Sequence, residues 1–405
     1  MASTDRTGAL NMMVRRYLEL GLRLGRHIDG YVDAYYGPPE IADRVAAEPL
    51  IDPLALVADA GQLIVDLDGG LEAGDLGATR RAWLRGQVIG VHTSARKLAG
   101  DAISYADEVE QCYGVRPTMR AEETFENAHR RLDEVLPGSG DLGDRFISWR
   151  ESQAIPPEKL QSVIDSFAED FRERTSRLFG LPDGERIEWE LASNKPWSGF
   201  NYYLGELQSR VAINIDLPVL SPSIAQLVAH EAYPGHHTEH THKEVGLVRR
   251  IGHLEETIFL VGTPQCLIAE GLADLGLEVI AGERPEELVA SHLRPLGVRY
   301  DAEVVAAVAV AAQALNNVRG NVAFLLHERG VAVEDAIAYG QRWGLMSRDR
   351  STKMLEFLTD PTWRAYISCY LEGLPLCRTF VAGDPTRFSR LLDEQLLPSD
   401  LAAAS

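Results

Sequence analysis

The sequence predicts a mainly α-helical protein with one small β-sheet near the middle of the chain. Apolar residues recur at helical spacing over most of the 405 residues, and 45% hydrophobic residues are enough for a large core. Alternation of polar and apolar residues, which is typical of strands, is confined to residues 186–216. The sequence contains no internal repeat and no low-complexity tract.

The first part of the chain is predicted to be helical throughout. Helical spacing of apolar residues predicts helices over 12–28, 53–67, 80–98, 121–132, 144–151 and 157–178. Glycine and proline predict a turn at 37–39 and loops at 137–140 and 180–184. The last of these loops divides the chain into a predicted N-terminal helical region, 1–180, and a second region, 181–405, which together form one intertwined unit.

Two strands are predicted ahead of a helix that ends in a histidine-rich segment. Residues 186–191 and 210–216 alternate between polar and apolar. Pro222 is predicted to open the following helix, with Ser221 as its N-cap. The edge of the second strand could pair with an extended peptide, or the sheet could be purely structural; the sequence leaves both open.

The remaining chain is predicted to be helical. The segment 302–326 is rich in alanine and valine, which predicts a buried helix, and further helices are expected over 333–339, 351–358 and 364–373. Tyr366 and Tyr370, in the last of these, are four residues apart and therefore lie on one helix face.

The segment from His230 to His237, which reads H-E-A-Y-P-G-H-H, has the residue types of a zinc hydrolase site. Two neutral imidazoles can hold a metal, and one carboxylate, here Glu231, can act on its bound water as general base. The usual spacing places the second histidine four residues after the first, but Pro234 occupies that position.

The second histidine must therefore be His236 or His237. On a regular helix the sixth residue points away, and the seventh lies about 10.5 Å along the axis, too far for two bonds of about 2.1 Å to one ion. Pro234 and Gly235 remove this objection, because they favour a break or bulge that brings the chain back. A Gly-His step also closes shorter zinc motifs, which favours His236, but the sequence does not exclude His237.

Glu270 is the predicted third ligand. It lies in the apolar segment 268–275, where an unpaired carboxylate would be costly. Asp274 is one helical turn further on and could orient a ligating histidine through its other ring nitrogen. The alternatives are that Glu270 is an acid favoured by a helix N-terminus and that the histidines belong to an ordinary loop. His240 and His242 are expected on a solvated surface.

Three side chains are candidates for stabilising the oxyanion of a tetrahedral intermediate. A phenol from Tyr366 or Tyr370 or the imidazole of His237 could donate a hydrogen bond to the developing charge. The alternative for the two tyrosines is that they lie at the edge of the core.

Charge, cysteine content and hydropathy limit the partners. The net charge of −20 argues against nucleic acid, whose phosphates need basic surfaces. Four scattered cysteines indicate reduced thiols and a cytoplasmic protein. We expect no membrane span, since no run of 18 apolar residues occurs, and no signal peptide at residues 1–6.

The H-E-x-x-P-G-H-H run, the segment 270–273 (E-G-L-A), the late tyrosine-containing segment and residues 33–38 (D-A-Y-Y-G-P) resemble a bacterial family known as domain of unknown function 885. That family is similar in outline to helical zinc peptidases of the thimet-oligopeptidase and thermostable-carboxypeptidase type. The resemblance implies a helical shell around a deep channel with one zinc ion at its floor. The chain departs from the family at 369–373, where many relatives have a Pro-Gly-Gln step.

These observations predict a zinc metallopeptidase that hydrolyses small peptides, with His230, His236 and Glu270 as ligands and Glu231 as base. Three alternatives remain: a zinc hydrolase of a non-peptide amide or ester, a metal-binding helical protein without catalysis, and a metal-free helical binding protein whose histidines pack inside. The sequence does not distinguish endopeptidase from exopeptidase cleavage, and it does not indicate the oligomeric state.

Overall fold

The computed structural model describes residues 11–69, 76–195, 197–282 and 284–404. These residues form a mainly helical protein with two small sheets, which confirms the predicted fold class. Residues 1–6, for which we expect no signal peptide, lie outside the described ranges.

The helices follow the predicted pattern over most of the chain. In chain order they are α1 (Met12–Gly25), α2 (Pro39–Ala47), α3 (Pro53–Gly69), α4 (Ala78–Leu98), α5 (Tyr105–Tyr113), α6 (Glu122–Val135), α7 (Leu142–Glu151), α8 (Pro157–Phe179), α9 (Ser221–Glu231), α10 (His236–Lys243), α11 (Pro264–Ala281), α12 (Pro285–Leu293), α13 (Ala302–Ala312), α14 (Val318–His327), α15 (Val333–Gly344), α16 (Arg348–Thr359), α17 (Ile367–Val381), α18 (Pro385–Asp393) and α19 (Pro398–Ala403). A π-helical turn, Glu244–Arg249, follows α10, and short 3-10 segments span Leu254–Thr257 and Gln313–Asn317.

The strands form two separate sheets. They are β1 (Val32–Tyr35), β2 (Arg186–Ala192), β3 (Gly199–Gly205), β4 (Gln208–Asn214) and β5 (Ile258–Leu260). One sheet pairs β1 with β5 in antiparallel fashion, and the other has the order β2-β4-β3, with β2 parallel and β3 antiparallel to β4.

The strand that precedes α9 does not offer the free edge that we considered. β4 is the central strand of its sheet, and both of its edges are paired. The sequence did not predict β3, which occupies the position where an added peptide strand would have paired. β2 and β3 are the two edge strands of this sheet, so strand addition could take place only at one of these two edges.

The structure also corrects two local predictions. Ser221 is the first residue of α9 rather than its N-cap, a position that Leu220 takes. The segment 302–326 is not one buried helix: the 3-10 segment separates α13 from α14, and Val310 is 68% exposed. An alanine- and valine-rich composition does not show which face is covered, and here mainly one face packs against α6.

The apolar core joins segments that are far apart in the chain. One cluster combines Leu18 and Leu24 of α1 with Ile258 and Leu260 of β5. Core clusters therefore contain residues from both sides of position 180, and the division into 1–180 and 181–405 stays a prediction. No helix in the described ranges is long and apolar enough to cross a membrane.

Candidate metal centre and its cavity

A sharp turn between α9 and α10 places His236 beside His230. α9 ends at Glu231, whose backbone oxygen accepts a 2.6 Å hydrogen bond from the side-chain amide of Asn201. After four residues α10 begins at His236. The turn requires glycine at position 235, because a Cβ there would lie 1.9 Å from the backbone oxygen of His230. The predicted break is confirmed, as two helices rather than a bulge in one.

Three predicted ligands meet at this point. The Nε2 atoms of His230 and His236 are 3.1 Å apart, and they lie 3.3 and 3.4 Å from the two carboxylate oxygens of Glu270. Four tetrahedral ligands at about 2.0–2.1 Å from a zinc ion are separated from one another by about 3.3 Å. The observed spacing is therefore that of three ligands around one ion, with a position left open, and these residues form a group that could hold a metal.

The environment of the three ligands favours positive charge. Oε2 of Glu270 is buried, and Nε2 of His230, at 3.3 Å, is its polar neighbour among the described residues. Burial lowers the pKa of His230, but hydrogen bonds to Asp274 and Glu270 outweigh it and raise that pKa well above its usual value. The carboxyl of Glu270 has a lowered pKa, since the nearby charges of His236 and His230 outweigh its burial. A cation at this point would satisfy the buried oxygen and both imidazoles.

Asp274 contacts His230, one of the candidate ligands. Its Oδ1 atom is 2.9 Å from Nδ1 of His230, so it can accept the proton of that nitrogen and leave Nε2 free for a metal. Asp274 is one helical turn from Glu270 on α11, and one helix therefore carries both a candidate ligand and the partner of another.

We expect Asp274→Asn to weaken zinc binding by about 10- to 100-fold, because an amide orients and polarises the imidazole less strongly than a carboxylate does. Competition with a chromophoric chelator would measure the affinity. Asp393→Asn is a matched control: Asp393 forms the same contact, at 2.9 Å, with His242, which is not in the ligand group. Equal affinities of the two variants would contradict the role of Asp274.

The structure does not bring His237 into the site. Its ring is fully buried, with Nδ1 at 2.8 Å from the hydroxyl of Ser209 and Nε2 at 2.8 Å from Glu185. Both ring nitrogens of His237 thus have partners away from the candidate ligands. The reason is that adjacent residues of a helix point about 100° apart, so His236 and His237 face different surroundings. His237 thus lies outside the group of candidate ligands, which contains His236, and neither of its ring nitrogens is free to donate to a substrate oxygen.

The expectation for His240 was wrong. This residue is buried, stacks on the ring of Tyr203 with centroids 4.6 Å apart, and lines the cavity beside the ligands. Burial, together with the charges of His236 and Lys243, lowers its pKa well below the usual value, so it is neutral. His242 is only partly exposed, and both of its ring nitrogens have partners, one at Asp393 and the other at the backbone oxygen of Gly180.

Glu231, the predicted general base, lies beside the three candidate ligands. It lines the same cavity as the three ligands, and a Cβ at position 199 would lie 2.9 Å from its Oε1 atom. The glycine that begins β3 thus leaves room for this carboxylate. Burial raises the pKa of Glu231 above its usual value, while the charges of His230 and His236 oppose the rise.

The two tyrosines differ in what they contact. Tyr366 donates a 2.5 Å hydrogen bond to Oε1 of Glu270, which orients that carboxylate. Tyr370 lines the cavity with its ring centroid 6.4 Å from that of His230, and its hydroxyl has no hydrogen-bond partner within the described part of the chain. Burial raises the pKa of both phenols well above the usual value, so both keep their protons. Tyr370 is the better placed to donate to a substrate oxygen.

Close packing of α11 and α17 brings the tyrosines to Glu270. A Cβ at Gly271 would lie 2.4 Å from the backbone oxygen of Gly373, and a Cβ at Gly373 would lie 2.5 Å from the backbone oxygen of Leu267. Glycine at both positions lets the two backbones touch. A larger side chain at either one would separate Tyr366 from the carboxylate that it orients.

The three candidate ligands line one cavity. Its walls are largely aromatic. The aromatic residues come from β3 and the loop before it, from β5, and from α16, α17 and the loop between them: Trp197, Phe200, Phe259, Phe357, Trp363, Tyr366 and Tyr370. Sequence reasoning missed Asp33, which also lines the cavity. In the sequence, Asp33 is the single acidic residue of the aromatic segment 33–36. A single acid in an apolar segment is also the pattern that led us to Glu270.

The fold has counterparts among solved structures. The crystal structure of a protein provisionally named a lipoprotein from Colwellia psychrerythraea matches with a TM-score of 0.52 and 16% identity, over 86% of this chain and 65% of that one. The chain thus spans less than two thirds of that protein. A provisional lipoprotein of unknown function from Shewanella oneidensis matches at a TM-score of 0.47 and 12% identity, over 93% and 80% of the two chains.

An M32 carboxypeptidase from Deinococcus radiodurans R1 matches at a TM-score of 0.39 and 13% identity, over 98% of this chain and 94% of that one. At these identities the comparisons bear on the fold alone. No protein-family model and no curated protein sequence matches the chain, so the resemblance to domain of unknown function 885 rests on the sequence motifs.

Proposed function

We propose that this protein is a zinc-dependent hydrolase that cleaves small peptides. The observation that carries the proposal is the spacing of His230, His236 and Glu270, whose ligand atoms are separated by 3.1 to 3.4 Å. A buried carboxylate, Glu231, lies in the same cavity, which is the combination that metal-assisted hydrolysis requires.

In this proposal the ligands hold one zinc ion, which would lower the pKa of a water molecule to about 7. Glu231 accepts the proton of the attacking water and then donates it to the leaving amine. The phenol of Tyr370 donates a hydrogen bond to the carbonyl oxygen as negative charge develops there. Asp274 and Tyr366 keep His230 and Glu270 in position.

Two features support a peptide rather than another amide or an ester. Gly199, Phe200 and Asn201 of the edge strand β3 line the cavity, so an extended backbone lying along that strand would pass in front of the ligands. The aromatic walls suit apolar side chains of a peptide. We also propose that the protein is cytoplasmic, because its described cysteines are free thiols. The proposed function involves neither nucleic acid nor a membrane.

The test uses untagged protein. Elemental mass spectrometry should find close to one zinc ion per chain, and a panel of short peptides should be hydrolysed at rates that fall to the buffer background after chelation and recover when zinc is returned. Hydrolysis of small amides or esters but of no peptide would favour the non-peptide alternative. Zinc without any hydrolysis would indicate a metal-binding protein, and failure to bind zinc at all would overturn the proposal.

A further inference from the structure

Asp33 is placed in the cavity by a β-bulge. Val32 of β1 pairs with Leu260 of β5, but Ala34 pairs with Phe259, so two steps along β1 match one step along β5. Asp33 is the additional residue. A bulge of this kind turns a side chain out of the regular alternation, and here both Asp33 and Phe259 line the cavity of the candidate metal centre.

The carboxylate of Asp33 has no partner among the described residues: it takes part in no hydrogen bond or ion pair. Burial raises its pKa to about 7; the charge of His236 opposes this, and those of Glu270 and Glu231 add to it. Asp33 is half-buried, and a carboxylate partly removed from water without a partner is costly unless a ligand supplies positive charge.

The charges around the cavity leave Asp33 uncompensated. Three carboxylates line it, those of Asp33, Glu231 and Glu270, and none of the described residues that line it is lysine or arginine. When all three are ionised, a divalent ion held by His230, His236 and Glu270 would balance two of the negative charges, which leaves the third. Arg319 of α14 interacts electrostatically with Tyr370 and Asp274 but is not part of the cavity wall.

The aromatic walls add to this preference for a cation. Trp197, Phe200 and Trp363 line the same cavity as Asp33, and the ring of Trp197 already lies 5.9 Å from one ammonium group, that of Lys195. Aromatic faces attract ammonium groups through the quadrupole of the ring, most strongly where water is excluded. A carboxylate next to such rings is a combination suited to a substituted ammonium ion.

We propose that Asp33 binds an ammonium group of the substrate, and that the enzyme therefore selects peptides carrying a free amino group close to the cleaved bond. This inference rests on the proposed peptidase function and specifies its substrate class. The ammonium group can come from the N-terminus of a peptide or from a lysine side chain. Either group would form a charge-assisted hydrogen bond with the carboxylate.

The first test measures binding and needs no turnover. Calorimetry on zinc-loaded and zinc-free protein would compare three ligands of similar shape: 2-phenylethylammonium, neutral 2-phenylethanol and anionic 3-phenylpropanoate. We expect the ammonium ligand to bind about tenfold or more tightly than the neutral one in both forms of the protein. Equal binding of these two ligands, or preference for the anion, would overturn the inference, and this comparison requires only the wild-type protein.

The second test compares Asp33→Asn with Glu40→Gln. Glu40 is exposed on α2 and its replacement removes the same charge, so it is the matched control. We expect Asp33→Asn to lose the ammonium preference while keeping its zinc, and Glu40→Gln to keep both. Unchanged preference in Asp33→Asn would show that another group binds the amine.

Hydrolysis then distinguishes the two sources of the ammonium group. Three substrates are compared: a norleucine-containing peptide with a free N-terminus, the same peptide with an acetylated N-terminus, and the acetylated peptide in which lysine replaces the norleucine. A higher kcat/KM for the first identifies the N-terminus, and a higher value for the third identifies lysine; in either case the advantage should disappear in Asp33→Asn. Peptide hydrolysis with no such advantage would overturn the role of Asp33 and leave the proposed peptidase function intact. Ammonium binding without any hydrolysis would support the role of Asp33 and overturn the peptidase function.

Discussion

Replacing Glu231 with glutamine should abolish turnover and leave the metal bound. Glutamine has the shape of glutamate and fits the space that Gly199 leaves, and the backbone oxygen of residue 231 would still accept the hydrogen bond from Asn201. It cannot accept a proton from water, however. Since a positioned general base contributes about 10²–10⁴-fold, kcat should fall by at least that factor on the best peptide of the panel.

The measurement is steady-state hydrolysis together with zinc content on the same preparation. Glu190→Gln serves as control, because Glu190 is exposed on β2 and its replacement makes the same chemical change outside the cavity. Wild-type turnover in Glu231→Gln would mean that another group takes the proton. Loss of zinc from this variant would show that Glu231 supports the metal rather than the reaction.

Alanine replacements of the neighbouring residues His236 and His237 should have opposite consequences. His236→Ala removes one of three ligands and should reduce zinc affinity by more than the about 10- to 100-fold typical of a residue that only supports a ligand. His237→Ala should keep the metal, because its ring contacts Ser209 and Glu185 instead. It should lower the free energy of unfolding by about 1–3 kcal/mol, since a fully buried hydrogen-bonded side chain is lost.

Zinc content and denaturant unfolding of metal-free protein would measure the two effects separately. Unfolding has to be compared without metal, because a bound ion stabilises the folded state by mass action. If His237→Ala lost its zinc while His236→Ala retained it, the ligand assignment would be reversed. Glu270→Ala should behave like His236→Ala in its metal content.

The local part of the site was predictable from the sequence. His230, Glu231 and the Pro-Gly step are close in the chain, and Glu270 and Asp274 are separated by one helical turn, so residue type and helical geometry suffice to group them. Glu270 also stood out because a carboxylate in an apolar helix needs a partner. The predicted helices were largely correct for the same reason: the periodicity of apolar residues is a local property.

What was missed depends on contacts between distant segments. Asp33 reaches the cavity only because β1 pairs with β5 and bulges there, and no spacing within residues 32–35 indicates this. The burial of His237 and His240 was missed because α10 is polar by composition, whereas its surroundings are supplied by β3, β4 and α18. Burial of a polar helix is decided by partners that its own sequence does not contain.

The pairing of β1 with β5 has a consequence for how the protein is made. Val32 leaves the ribosome long before Leu260, its partner in the sheet, has been synthesised. At about 5–20 residues per second the delay is on the order of 10 to 50 s. During that time α1 and α4 lack the apolar side chains of Ile258 and Leu260 that complete their core. The nascent N-terminal helices therefore expose apolar surface that a chaperone would recognise, and the bulge that carries Asp33 can form only late in synthesis.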